Sequence, residues 1–406
     1  MRKALTRSQR LSATLAAVVV AGGALVSAQA GVSSAEQEAG HGPPRAQSAA
    51  CKLTSTQTDL AEGFPVAGQG LPSRGQLRGL TLFVDFPDHP APRGSLLKAE
   101  NNLRSGVEFL NTMSRGALDV TARSSDRWVR MPHPSTDYPF ERGLSYEDHV
   151  RYIVDAVRAA DPDVDFSGVD VVWVVATEAA PNITYSPTTN FLDVTADGNH
   201  LTHAITFGYD QWRWGGLVLA HESGHTLGLP DLYTFEAAPG SDPPNYHAAV
   251  GGWDLMGLIS GQGPEYLAWH RWMLGWLRDS EVACLRPDVA STVHLSAVET
   301  GKGTGMAVLP LDEHRALVAE SRKPLRYDRE IASGGVLLYT IDTTVRTGSG
   351  PVRVLDTTPG SPVGLDDAPL GPGRSWTDAS SGVTVGVTSS SSTGDVISVS
   401  PPPVHH

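Results

Sequence analysis

Residues 221–231 read HESGHTLGLPD, eleven positions that hold two imidazoles, two carboxylates and two glycines. On a helix His221 and His225 are four residues apart, one turn along the same face, so both rings can reach one ion. A catalytic zinc takes three protein ligands and keeps one position open. Glu222, rotated by about 100° from His221, points beside such an ion. There it can take a proton from water and later hand it to a leaving amine. Gly228 can adopt the left-handed conformation that ends a helix and turns the chain back. Asp231 then comes round to offer a carboxylate oxygen as the third ligand. The HExxH pattern alone fixes three positions; helical placement together with Gly228 and Asp231 makes coincidence a poor account. His203, His247 and His270 read as surface or core histidines. An amide-cleaving site also needs a donor for the developing oxyanion. Tyr233, Tyr246 and Tyr266 are candidates, each of which reads first as a packing residue.

These groups need elements to hold them. At helical spacing Leu217, Val218, His221, Gly224 and His225 share one side, and Leu219, Ser223, Thr226 and Leu227 lie opposite, so the motif helix is apolar all round and should be buried. Upstream, GLTLFVDFPD from Gly79 reads as a strand closed by a turn. SYEDHVRYIVDAVRAADP reads as a helix capped by Ser145, with Tyr146, Val150, Ile153, Val154 and Val157 as its apolar stripe and Pro162 just past its end. VDVVWVVAT (169–177) is a continuous apolar run typical of a strand covered on both faces. Downstream, PEYLAWHRWMLGWL reads as a third helix with Pro264 in its first turn. After Cys284 the pattern becomes short alternating runs, TVHLSAV, GMAVLPL, RALVAES, GGVLLYTID, SGVTVGVTSS and DVISVSP, a β-rich region. The expected class is α+β: a mixed sheet with an active-site helix over 79–284, followed by a β-rich domain over 285–406, with no internal repeat.

Residues 1–10 carry Arg2, Lys3, Arg7 and Arg10 without an acid, an apolar run covers 11–26, and Ala28-Gln29-Ala30 follows. That is the pattern of a secretory signal peptide over 1–30, too short in its apolar run for the roughly 18 residues that cross a bilayer. Residues 31–78, rich in Ala, Gly, Ser, Gln and Pro, read as a disordered stretch or pro-segment. With 31 basic and 44 acidic residues, net −13, the chain is poorly suited to nucleic acid or anionic membranes. Cys51 and Cys284 are its only cysteines, and an even count in an oxidising compartment reads as one disulfide. A competing reading makes Cys51 a thiolate that caps the metal; a lipid anchor there lacks the hydrophobic run that should precede SAAC.

HExxHxxGxxD followed by GGWDLMG resembles the secreted zinc metallopeptidases of the immune inhibitor A family, which are metzincin-like. The similarity extends to LFVDFPD (82–88), MSRGALDV (113–120), VDFSGVD (164–170), AWHRWMLGWL (268–277) and VAESRKPLRYDREIASGGVLLYTID (318–342), covering most of residues 80–345 in family order. The resemblance implies His221, His225 and Asp231 as zinc ligands, Glu222 as general base and Met256, in WDLM, as the methionine beneath the metal. Relatives carry a long pro-segment that this chain lacks, and LYTFE follows Asp231 where relatives often have another acid after the tyrosine. Calcium is therefore only a candidate second ion, as it is for Asp161, Asp163 and Asp165, which read first as a solvated turn.

The function expected is a secreted, monomeric zinc endopeptidase acting on proteins or peptides. Two alternatives stand beside it: a non-catalytic metal-containing binding protein of the same fold, against which the intact Glu222 speaks, and a zinc hydrolase of non-peptide amides. The β-rich region reads equally as a structural cap or a substrate-binding module.

Overall fold

The computed structural model describes residues 48–403, except 67, 69, 141–143 and 242; the expected signal peptide lies outside the described residues. A six-stranded sheet forms the first layer. Its strands are β1 (Gly75–Asp85), β2 (Leu118–Ser124), β3 (Val129–Arg130), β4 (Val171–Ala176), β5 (Thr188–Thr189) and β8 (Ala204–Phe207). The order is β2-β1-β4-β8-β5, with β3 paired to the end of β1. All pairs are parallel except the edge pair β5·β8. Between β5 and β8 a small hairpin of β6 (Val194–Ala196) and β7 (Asn199–Leu201) folds on itself.

The wholly apolar sequence of β4 follows from burial on both faces. Val172, Val174 and Ala176 face one core together with Leu80, Leu82 and Val84 of β1. That core is closed by helix α2 (Tyr146–Ala160). Val171, Trp173 and Val175 face a second core, shared with α1 (Ser95–Met113) and with α4 (Gly216–Thr226), which follows the short α3 (Tyr209–Trp214). Helix α2 begins as its sequence predicts: the Ser145 side chain accepts from the Asp148 N–H. Its buried stripe is shifted, however. His149, Tyr152, Ile153, Ala156, Val157 and Ala160 are inside and Tyr146 is half exposed.

The expected third helix is much shorter than its pattern suggests, running only over Ala268–Met273 (α5). Leu267 is the N-cap, with ψ 147° outside the helical range, so the helix begins at Ala268; ahead of it the Glu265 N–H goes to Asp328 and the Leu267 N–H to Asp254.

The alternating runs after 284 become strands, together with short β9 (Val282–Cys284). β10 (Ser291–Ser296), β15 (Ser375–Thr377), β16 (Thr384–Ser391) and β17 (Gly394–Ser400) form a four-stranded sheet. β11 (Met306–Pro310), β12 (Arg315–Arg322), β13 (Gly335–Asp342) and β14 (Val352–Val354) join β9 in a five-stranded one. Leu317, Ala319, Val336 and Leu338 pack toward the four-stranded sheet. The alternate residues Val318, Leu337, Tyr339 and Ile341 enter the same core as α4. That core is thus continuous across position 284, and the described residues all belong to one compact unit.

The segment before β1 differs from the expected disorder from Ser48 onward. Cys51 is bonded to Cys284 (S–S 2.07 Å), which leaves no thiolate at position 51. Leu53 is buried, Phe64 packs edge-on against Trp272, and the Leu71 N–H donates to the Thr226 carbonyl at the end of α4. Few apolar residues are needed because the segment is held by a cross-link and by a buried ion network. Glu62, fully buried, accepts from Trp269 Nε1 (2.8 Å) and contacts His270 Nε2 (2.9 Å). His270 Nδ1 in turn meets Asp254 Oδ2 (2.9 Å).

Burial alone would push the His270 pKa down. Asp254 and Glu62 outweigh it and lift the value to about 10. Its folded pKa lies above the unfolded value near 6.5, so this stabilisation is complete below about pH 6.5 and is lost as pH rises through about 10. The expected result is that the stability gap between wild type and His270→Gln narrows from pH 6.5 to 10, at up to about 1.4 kcal/mol per pH unit for one proton. Urea unfolding across that range measures it; a constant gap would refute a charged His270.

Candidate metal centre

Helix α4 is set in place by a close crossing with α1. A side chain at Gly216 would lie 2.3 Å from the Gly106 backbone N, and one at Gly106 would lie 2.4 Å from the Gly216 carbonyl. Only hydrogen at both positions lets the two backbones approach. The helix ends in a Schellman turn: the Leu229 N–H returns to the Gly224 carbonyl (2.9 Å) and the Gly228 N–H to that of His225 (3.1 Å). Gly228 has φ 99°, the left-handed conformation expected of it. The reversed chain then places Asp231 opposite the two histidines.

The geometry gathers the three residues named from the sequence. Asp231 Oδ1 lies 3.4 Å from His221 Nε2 and 3.2 Å from His225 Nε2, and all three side chains are buried. Among the described residues these are the His, Cys, Asp or Glu side chains gathered closely enough to hold a metal ion. Each ring is oriented from behind. His221 Nδ1 donates to the Leu255 carbonyl and His225 Nδ1 to the Leu229 carbonyl, both at 2.9 Å. That fixes the proton on Nδ1 and turns the Nε2 lone pair inward, the usual outer-shell arrangement of metal-ligating histidines. Among the described residues no hydrogen bond is formed to the buried Asp231 Oδ1, whose polar neighbours are the two Nε2 atoms. Two imidazole nitrogens and a carboxylate oxygen, all acceptors, therefore converge on one point. This donor set fits a divalent cation of the zinc type.

The electrostatics agree. Burial would lower both histidine pKa values, but Asp231 and Glu222 reverse this, lifting His221 above its ordinary value and His225 to about 9. For Asp231 burial works upward, and the two imidazoles overcome it to hold the carboxyl well below the usual range. The cluster favours positive charge, as protons on Nε2 in the bare chain or as a cation that takes their place.

Glu222 lies beside the cluster with Oε2 accepting from Thr188 Oγ1 (2.9 Å) on the edge strand β5. Burial raises its pKa to about 7, against the pull of the two histidines and Thr188. Met256 packs beneath α4, its Sδ so near Gly224 that a Cβ there would fall at 2.5 Å. Its carbonyl accepts from the Leu232 N–H (3.0 Å). The 254–256 turn thus supports His221 through Leu255 and the Asp231 region through Met256. From the β13–β14 connection, Thr347 Oγ1 accepts the Asp231 N–H (2.9 Å) and the Gly348 N–H reaches the Asp231 carbonyl (3.3 Å).

Thr188, Asn190, Asp254, Leu255 and Thr347 were not singled out in the sequence. Asn190, whose Nδ2 donates to the His225 carbonyl (3.1 Å), and Thr188 sit on or beside a two-residue strand with no periodic signal. Asp254 had one: it lies in the quoted WDLM.

The remaining candidates separate. His203 pairs with Thr202, His247 Nδ1 with the Gly257 carbonyl and His270 with two acids. Tyr266 is fully buried and spends its hydroxyl on the Ala220 carbonyl (2.6 Å). Tyr233 stacks over His221 with ring centroids 6.5 Å apart, and Tyr246 is exposed. Asp163 pairs with Arg127 and Asp165 with Arg123 and the Ser167 N–H, so these acids do not converge on one point.

No family model and no curated protein matches the chain. Among solved structures it is similar to metalloproteinase-II from Bacteroides fragilis, at 15% identity and a TM-score of 0.27 over 55% of this chain and 56% of that one. The alignment spans little more than half of either molecule.

Proposed function

We propose that the protein is a secreted zinc-dependent endopeptidase, metzincin-like in its site, with His221, His225 and Asp231 as ligands and Glu222 as general base. The observation that carries this reading is the convergence of His221 Nε2, His225 Nε2 and Asp231 Oδ1, with both Nδ1 protons committed to backbone carbonyls. When bound, a zinc ion supplies Lewis-acid polarisation of the scissile carbonyl and acidifies the attacking water. The chain's own groups do the rest. Thr188 holds Oε2 of Glu222, which leaves Oε1 to accept the proton of the water as its oxygen bonds to the carbonyl carbon. The same oxygen then delivers that proton to the amide nitrogen as the C–N bond breaks. Of the three tyrosines, Tyr266 spends its hydroxyl on the Ala220 carbonyl, and the Tyr233 ring lies beside His221.

The disulfide supports an oxidising destination. No described helix is long and apolar enough to cross a membrane. The net charge of −13 supports protein substrates over nucleic acid.

The purified protein should digest denatured casein, lose that activity to a zinc chelator and regain it on zinc addition. Digestion that persists after complete metal removal would eliminate the proposal. Zinc binding with no hydrolysis of casein or of peptide libraries would favour a binding protein of the same fold.

A further inference from the structure

The chain of buried contacts from Glu62 through His270 to Asp254 ends at the turn that supports the ligands. Asp254 Oδ1 accepts the Met256 N–H (2.7 Å), and Oδ2 accepts the Leu267 N–H (2.7 Å) as well as meeting His270 Nδ1. The conformation of residues 254–256 therefore hangs on one carboxylate. Leu255 between them offers its carbonyl to His221 Nδ1, and the Met256 carbonyl holds the Leu232 N–H, next to Asp231. Two of the three candidate ligands are thus oriented by this turn. Glu62, His270 and Asp254 are all fully buried. An imidazole with a carboxylate at each nitrogen, both within 2.9 Å, must carry both N–H groups to donate to both. A buried polar chain of this kind is either fully paired or costly, and here every member is paired.

We propose that Glu62 and His270 are positioning residues of the metal centre: they lock Asp254, and through it the Leu255 and Met256 carbonyls, so that residues 48–74 are a working part of the site. The segment that reads by composition as a disordered stretch or pro-segment is, from Ser48 on, the far anchor of this relay. The same segment reaches the site a second time, where the Leu71 N–H donates to the Thr226 carbonyl just after His225. Outer-shell partners of metal ligands typically govern affinity by about 10–100-fold, and a relay two side chains removed falls at the lower end.

The inference rests on the metal reading of the site, and its test keeps the two apart. In the full chain, Glu62→Gln removes the charge at the outer end of the relay without changing shape. Its zinc dissociation constant, from competition with a chromogenic chelator, should be about tenfold weaker than wild type. Thr56→Val is the control, because Thr56 Oγ1 holds the same segment through the Thr343 carbonyl (2.6 Å) without touching the relay. It should lower thermal stability and leave zinc affinity unchanged. Equal affinity for Glu62→Gln and wild type, or an equal loss in Thr56→Val, overturns the proposal.

Should Glu62→Gln not fold, amide hydrogen exchange on the unmodified protein decides. The Met256 and Leu267 amides, bonded to Asp254, should open together with the Phe64 amide, which donates to the Leu53 carbonyl (2.8 Å) in the segment. Independent, much faster opening at Phe64 overturns the relay. If wild type binds no zinc, the metal reading fails, and the exchange result still judges the coupling.

Discussion

Replacing Glu222 with glutamine is expected to leave a folded, zinc-loaded protein whose peptide turnover is lower by about 10²–10⁴-fold, the range of a lost general acid–base group. Glutamine keeps the volume of the side chain, and its carbonyl oxygen can still accept the Thr188 hydroxyl that now meets Oε2. Folding should not suffer, because burial is what lifts the Glu222 pKa to about 7 and a neutral amide removes that buried charge. The three residues that would hold the ion are untouched. Only the ability to take and return a proton is gone. Metal content by elemental analysis, a melting curve and the rate on a fluorogenic peptide make the comparison; near-wild-type turnover in a zinc-loaded variant would strike Glu222 from the mechanism.

Asp231→Ala should act on the opposite side of the ledger, on zinc itself. The carboxylate is the one anionic ligand of the three and sits 3.2–3.4 Å from both imidazoles. Its loss should weaken zinc by more than the roughly 10–100-fold typical of outer-shell changes. The effect is visible without any substrate. At free zinc one hundred times the wild-type dissociation constant, wild type gains about 2.7 kcal/mol of stability by mass action; a variant bound a hundredfold more weakly gains about 0.4 kcal/mol. Melting curves with and without zinc therefore separate the two proteins. A zinc-dependent shift in Asp231→Ala as large as in wild type would show that the ion, if bound, is held elsewhere.

Local chemistry made much of this site legible. The His–Glu–His spacing, the left-handed Gly228 and the Asp231 return are all encoded within eleven residues, and the geometry brings them together as the spacing implies. The Ser145 cap, the doubly buried run of β4 and the alternation of the later strands were legible for the same reason: short-range pattern meets short-range cause.

What stayed hidden depends on partners far away in the chain. Helix α1 buries Gly106 where a pattern reader looks for a large apolar residue, because α4 comes too close for anything bigger. The helical pattern from Pro264 to Leu277 overruns by four residues at each end, since Leu267 lies outside the helical range and Gly275 takes the left-handed conformation. Residues 48–74 look unfit for a core. Their fixings include Cys284, His270 and Trp272, each more than two hundred positions from the residue it holds.

The hold of Thr347 and Gly348 on the Asp231 backbone bears on how the molecule can be divided. These residues come from the part of the chain beyond Cys284, and the sheet that carries them contributes Val318, Leu337 and Tyr339 to the core beneath α4. A fragment stopped after the histidine motif would keep every coordinating side chain, yet shed the clasp that fixes one of them and strip that core bare on one side. Trimming to a minimal catalytic piece, natural for a protein whose motif is so compact, would dismantle the very site it aims to isolate.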